Sequence, residues 1–308
     1  MYSSKFTIKD IKIGHYSDTD NGTGTTVILA EKGAVIGASV RGSAPGTRET
    51  DLADPKNAVE KANAVLLTGG SAYGLDAASG VMAYLEHKKS GFKTKEGVVP
   101  IVLGAVLYDL GYKSASVRPT ANFGTAACEN AVASNNAQGS IGAGTGATCG
   151  KMLGKKKTSK SGLGVSAVNL GGGVYVAAII AANPLGDIYD FKTNSQIAGL
   201  SSPTTNQIFL EGLGALMKAG KGENTTIGCI ITNAKMSKAQ ANKLADISHD
   251  GIALAVRPCH TMYDGDTMFA LSTSKLPCLF DRVLAAGVEA TAMAIANAAY
   301  AAKEEASI

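Results

Sequence analysis

Short apolar runs separated by glycines dominate this chain and point it toward sheet. The runs Thr25–Leu29, Val35–Val40, Ala64–Leu67, Ile101–Leu107, Val165–Leu170, Val174–Ala181, Thr226–Ile231 and Met268–Leu271 have strand length and are bounded by turn residues. Glycine fills 37 of 308 positions with no Gly-X-Y period, which suits tight turns and close backbone approach. The expected class is a layered α/β protein. Three helices are predicted. Ala72–His87 follows Gly69-Gly70-Ser71; Lys238–Ala255 opens after Ser237, a good N-cap, with Ala241, Leu244 and Ile252 near one face; Leu279–Ala302 closes the chain.

A composition of 45% hydrophobic and 18% charged residues favours a compact globule over disorder, and no linker or repeat divides it. The net charge of +4 does not call for nucleic acid. Asn130–Gly186 carries no acid but holds Lys151, Lys155, Lys156, Lys157 and Lys160. With no aromatic residue between the lysines, Lys155–Lys160 reads as a solvated loop, not an RNA patch. Five scattered cysteines without C-x-x-C disfavour both disulfides and a zinc site. The four histidines lack metal spacing, so neither metal nor cofactor is expected. Met1–Lys5 does not open a signal peptide, and Glu289 and Asn297 mark Val283–Ala302 as a core helix rather than a membrane span. A cytoplasmic location is expected.

Three motifs come close to known chemistry and miss. Gly144–Lys151 is one residue too long for a P-loop, and Met152 replaces its hydroxyl ligand. Gly142-x-Gly144-x-x-Ala147 lacks the later acid of a dinucleotide fingerprint. Gly69-Gly70-Ser71-Ala72-Tyr73 imitates a nucleophile elbow, with Asp250 and His260 in triad order, but Tyr73 breaks G-x-S-x-G. A glycine turn whose helix N–H groups bind a carboxylate or carbonyl accounts for it better.

Asn224-Thr225 and Asp264-Gly265-Asp266 remain. A threonine hydroxyl is a poor nucleophile without a base beside it. If the preceding bond is cut, the residue's own α-amine, with an ordinary pKa of about 7.7–8.0, becomes that base. Two carboxylates flanking one glycine could orient the amine and shuttle protons. By spacing alone, Asn-Thr is common and Asp-Gly-Asp is usually a turn.

The same residues carry a resemblance. Leu67–Leu75, Gly142–Ala147, Asn224–Gly228, His249-Asp250-Gly251, Arg257-Pro258 and His260–Thr267 resemble the L-aminopeptidase/D-esterase family, whose relatives include β-peptidyl aminopeptidases and nylon-oligomer hydrolases. The likeness runs from about Ile11 to Ala302. It implies an αββα sandwich, a single domain self-cut into fragments 1–224 and 225–308, and homo-oligomers such as dimers or tetramers. It further implies Thr225 as nucleophile, Asn224 as the new carboxyl end, Lys151 as an active-site cation and Asn183 near the scissile carbonyl. Tyr108 would line the site, Ser71 and Tyr73 would meet substrate, and Asp264 and Asp266 would act on the amine and hydroxyl. Asn-Thr at the junction, where many relatives have Gly-Ser, counts against a narrow aminopeptidase specificity and toward an endo-acting amidase, and the expected substrates are 6-aminohexanoate oligomers or peptides, amides and esters of small or β-amino residues. An acyltransferase of the ornithine acetyltransferase type and a non-enzymatic binding module are the rival readings.

Overall fold

The computed structural model describes residues 1–212, 214, 217–218, 220 and 222–305. Ala219 and Lys221, part of the lull expected before Thr225, lie outside the described residues. The principal strands are β1 (Lys12–Asp18), β2 (Thr23–Val40), β3 (Lys61–Thr68), β4 (Val102–Val106), β5 (Leu163–Gly171), β6 (Val174–Asn183), β7 (Thr225–Ala234) and β8 (Thr267–Leu276). They join in the order β5-β6-β7-β8-β2-β3-β4, with Thr47–Arg48 at the β4 edge and β1 on β2.

The runs expected at Thr25–Leu29 and Val35–Val40 are one strand. The β2 register against β3 slips between Leu29 and Ala34. Its first half pairs with β1 and β3, and its second half reaches β8. In this way β2 carries one hydrogen-bonded surface from one layer into another, and the sheet packs against itself. Ile28, Val65, Leu67 and Leu103 meet Ile179, Ile227, Ile231 and Phe269 in the central core.

Side chains alternate across a strand, so each layer has a second face to cover. Among the described residues the α-helices are α1 (Ala77–His87), α2 (Ala121–Glu129), α3 (Thr205–Leu210), α4 (Lys238–Ala255) and α5 (Phe280–Glu305). Val27, Leu29 and Leu66 pack with Val81 and Leu85 of α1 and Cys128 of α2. On the other side, Ile180, Ile230, Met268 and Ala270 pack with α4 and α5. The result is four layers, αββα. Burial on both faces explains why the strands read as continuous apolar runs instead of alternating ones. Fully burying one such Ile or Leu contributes about 1.5–3 kcal/mol.

The helix α4 has its predicted bounds. Gln240 N–H donates to Ser237 Oγ (3.2 Å) and Ser237 N–H to Gln240 Oε1 (2.9 Å), a reciprocal cap. The helix expected from Ala72 starts as a 3-10 segment, Ser71–Asp76, and turns α-helical at Ala77. Its entry is set by Gly70 at φ 84° and by Ser71 N–H on the Leu107 carbonyl (2.9 Å). The helix α2 went unforeseen because its small residues show no clear period; they let it press onto α1.

By length and composition α5 could cross a membrane, yet it is largely buried against β5, β6 and α4. Alanines and Gly164 make this possible: a Cβ on Gly164 would collide with the Ala294 carbonyl oxygen. Asn297, the polar interruption, donates to Val165 O (2.8 Å) and Tyr2 O (3.1 Å) and accepts from Tyr2 N–H (2.7 Å). One expectation needs correction. Lys155, Lys156 and Lys157 are exposed, but Lys160 turns inward and donates to the carbonyls of Gly144, Ala147 and Ser161. Burial pushes its pKa down to about 8. It ties the glycine-rich segment together instead of facing solvent.

Candidate active site

Strand direction assembles the site. The strands β7 and β8 are parallel, Ile227 opposite Thr267, so both begin at the same end of the sheet. Thr225 heads β7, and Asp264-Gly265-Asp266 leads into β8. The strand β6 is antiparallel to β7 and brings its last residue, Asn183, opposite Thr225. The Asn183 amide donates to the Tyr108 carbonyl just beyond β4 (2.9 Å).

Lys151 arrives from the glycine-rich segment, fixed by Lys151 N–H on Leu185 O (3.1 Å) and Gly150 N–H on Gly186 O (3.0 Å). Its Nζ donates to Asn183 O (2.8 Å), Asn183 Oδ1 (2.7 Å) and Glu223 O (3.3 Å). Burial pushes its pKa down to about 7, against the opposing charges of Asp264, Glu223 and Asp109. The structure therefore brings Thr225, Asn224, Asn183, Lys151, Tyr108, Asp264 and Asp266 together.

At the junction, the Asn224 carbonyl accepts from Gly265 N–H (2.8 Å), and Thr225 Oγ1 lies 2.5 Å from the same oxygen. Gly265 has no room for a side chain: a Cβ would stand 2.5 Å from Ala44 O and 3.0 Å from Thr225 Oγ1. Neither carboxylate hydrogen-bonds to the Thr225 hydroxyl among the described residues. Asp264 accepts from Leu185 N–H (3.2 Å) and from the amide (3.1 Å) and hydroxyl (2.5 Å) of Thr261. Burial, with the Asp266 charge added, raises its pKa to about 6. Asp266 accepts from Thr226 N–H (2.6 Å), His260 N–H (3.2 Å) and His260 Nδ1 (2.7 Å).

A cavity of about 160 Å³ ends at this junction, lined by Tyr108, Asp109, Thr148, Lys151, Glu223 and Asn224 among others. Asn224 lines it, whereas Thr225, 3% exposed, does not. Ser71 and Tyr73 are not brought to it. Tyr73 is largely exposed beneath the Arg118 guanidinium, 3.7 Å from the ring centre. The triad Ser71-His260-Asp250 does not form either. His260 pairs with Asp266, and Asp250 with Arg41.

Three contributors escaped sequence reasoning as site groups. In the sequence His260 stands only in triad order with Asp250, without metal spacing. Thr261 carried one signal, its place three residues before Asp264. The Gly265 N–H carried none. Buried Asp109 also lines the cavity, accepting from Gly70 N–H and the Thr23 hydroxyl (2.7 Å each); burial raises its pKa to about 6.

The profile of peptidase family S58 matches residues 7–307. An uncharacterised aminopeptidase of Mycobacterium leprae is 41% identical over 289 residues, covering 86% of this chain and 77% of that protein. A 6-aminohexanoate-oligomer endohydrolase of Kocuria is 31% identical over 282 residues, covering 88% and 75%. The L-aminopeptidase D-Ala-esterase/amidase of Ochrobactrum anthropi, described as a variant of the Ntn hydrolase fold, superposes with a TM-score of 0.71 at 18% identity, covering 96% of this chain and 85% of that one. With an αββα core and amide-hydrolase relatives matched over nearly its full length, this chain belongs to peptidase family S58.

Proposed function

We propose that the chain cleaves its own Asn224–Thr225 bond and then hydrolyses amide bonds with Thr225 as an N-terminal nucleophile. The observation that carries this is the junction itself. A threonine hydroxyl sits against the preceding carbonyl, which a backbone N–H already holds, with a cation and two carboxylates around it. In the self-cleavage step Thr225 Oγ adds to the Asn224 carbonyl carbon, and charge on that oxygen is met by Gly265 N–H. Collapse breaks the C–N bond as the hydroxyl proton passes to the departing nitrogen, leaving an ester and a neutral amine. Water then hydrolyses the ester, releasing the Asn224 carboxylate and the free hydroxyl.

Release of Asn224 opens the cavity toward Thr225. The neutral α-amine then takes the hydroxyl proton as Oγ attacks a substrate amide. Lys151, held over Asn183, balances the oxyanion. The leaving amine departs protonated, and water hydrolyses the acyl-enzyme. The substrates proposed are short oligoamides: 6-aminohexanoate oligomers cut internally, or peptides with small or β-amino residues. The names of the relatives and the Asn-Thr junction support this class.

The test is intact mass and terminal sequencing of purified protein. One fragment should end at Asn224 and the other begin Thr-Thr-Ile-Gly-Cys. Thr225→Ala should abolish cleavage and hydrolysis, while Thr225→Ser retains part of both. Full activity in one unbroken chain would falsify the reading.

A further inference from the structure

The lysine-rich loop takes no part in the chemistry at the junction, yet one end of it forms the rim of the cavity beside Asn224. Lys155 and Lys218 line that cavity, and both are exposed. Their backbones are locked together, with Lys218 N–H on Met152 O (2.8 Å) and Gly154 N–H on Lys151 O (2.9 Å). A Cβ on Gly154, at φ 84°, would stand 3.3 Å from Lys218 Cβ, so the Lys218 stem lies against the residue that precedes Lys155. Among the described residues neither ammonium takes part in a salt bridge. Lys151 also lines the cavity, and Lys160 stands 5.4 Å from the ring centre of Tyr112, another lining residue. Both of these lean on neutral oxygens, which leave their charge uncompensated.

The acids of the cavity do not offset this charge at the rim. Asp109 is buried in the wall, where its oxygens accept from Gly70 N–H and the Thr23 hydroxyl. Glu223 belongs to the segment that ends at the proposed cut and leaves the cavity with Asn224. Lys218 stays behind, because Met217 beside it packs against Met152, Leu185, Leu200 and Ile208. Chain direction decides which part of a substrate enters. Glu223 and Asn224 lie on the carbonyl side of the bond before Thr225, so the cavity receives the acyl side. In an unmodified peptide the far end of that side is an ammonium group, which unpaired lysines repel; a carboxylate there is attracted.

We propose that Lys155 and Lys218 receive a carboxylate at the far end of the acyl group, so that the preferred substrates are oligoamides capped at their amine by a dicarboxylic acid. This specificity rests on the Thr225 reading and selects among its oligoamides. The chain's own cut segment fits the pattern, since it carries an acid, Glu223, into the cavity immediately before Asn224.

The test uses processed wild-type enzyme and the p-nitroanilides of β-alanine and 6-aminohexanoic acid, each with its amine free, acetylated or succinylated. On at least one scaffold kcat/KM should be about fivefold or more higher for the succinyl than for the acetyl compound, with the free amine lowest. Salt at about 1 M should bring the succinyl-to-acetyl ratio toward one. The double substitution Lys155→Gln, Lys218→Gln should do the same at low salt. Both substrates meet the same enzyme, so the ratio is independent of the fraction folded or processed. A ratio of one or less on both scaffolds, or one that survives the double substitution, overturns the lysine site and leaves the Thr225 reading intact. Wild-type rates in Thr225→Ala would instead sink that reading, and the acyl-side direction with it. Hydrolysis of none of the substrates would sink both.

Discussion

Lys151 shows how one residue's position sets its chemistry. Three carbonyl-type acceptors surround its Nζ, so it is held in place, and enclosure lowers its pKa to about 7. In the proposed mechanism its charge stabilises an oxyanion; as pH rises through about 7 it loses that charge. The α-amine that the proposed cut would free at Thr225 would work in the opposite sense, gaining activity as it deprotonates, at an ordinary value of about 7.7–8.0. The expected kcat/KM profile is a bell, with the ascending limb from the amine and the descending limb from Lys151. Lys151→Arg keeps a cation that does not deprotonate and should flatten the descending limb, while Lys151→Met should lower kcat/KM by about 10²–10³-fold. An Arg variant with an unchanged alkaline limb rules out Lys151 as the titrating group.

At the scale of elements, α5 seats on β5 by close backbone approach. The contact of β5 with α5 is backbone against backbone at Gly164 and Ala294, with Asn297 pinning the N-terminal arm beside it. Gly164→Ala inserts a methyl group where neither neighbour can rotate away. Its expected cost is about 2 kcal/mol or more, read as a lowered urea midpoint in the unbroken Thr225→Ala background. Gly111→Ala is the matching control, since its nearest neighbour would be Tyr108 Cε1 at 3.9 Å, and it should stay within about 0.5 kcal/mol. Equal midpoints for the two variants would show that the helix tolerates a wider seat.

For the whole molecule, the proposed cut would place β7, β8, α4 and α5 in the fragment from Thr225 onward. Its two strands lie inside the sheet, β7 hydrogen-bonded to β6 and β8 to β2, both from the other fragment. Cutting one bond at the head of β7 therefore leaves every ladder in place, and α4 and α5 still cover the outer face. The processed fragments should elute together from a sizing column without denaturant and separate only when unfolded. Dissociation on simple dilution would contradict this interlocked arrangement.

The sequence alone determined the strands with buried faces, because burial on both sides leaves uninterrupted apolar runs, and it determined α4, whose cap and apolar stripe are local. It also marked Thr225, Asp264 and Asp266 as the candidate nucleophile and acids, since that argument needs only residue chemistry and the resemblance. Tertiary structure decided what depends on distance along the chain. Parallel pairing of β7 with β8 sets Thr225 beside acids some 40 residues away, and antiparallel β6 returns Asn183 to the same end. It decided that Lys160 points inward, since a lysine among glycines shows no sign in sequence of the carbonyls that will gather around it. It also decided that His260 serves Asp266 and not Ser71, because partners of a buried charge are chosen by packing, which composition and spacing do not encode.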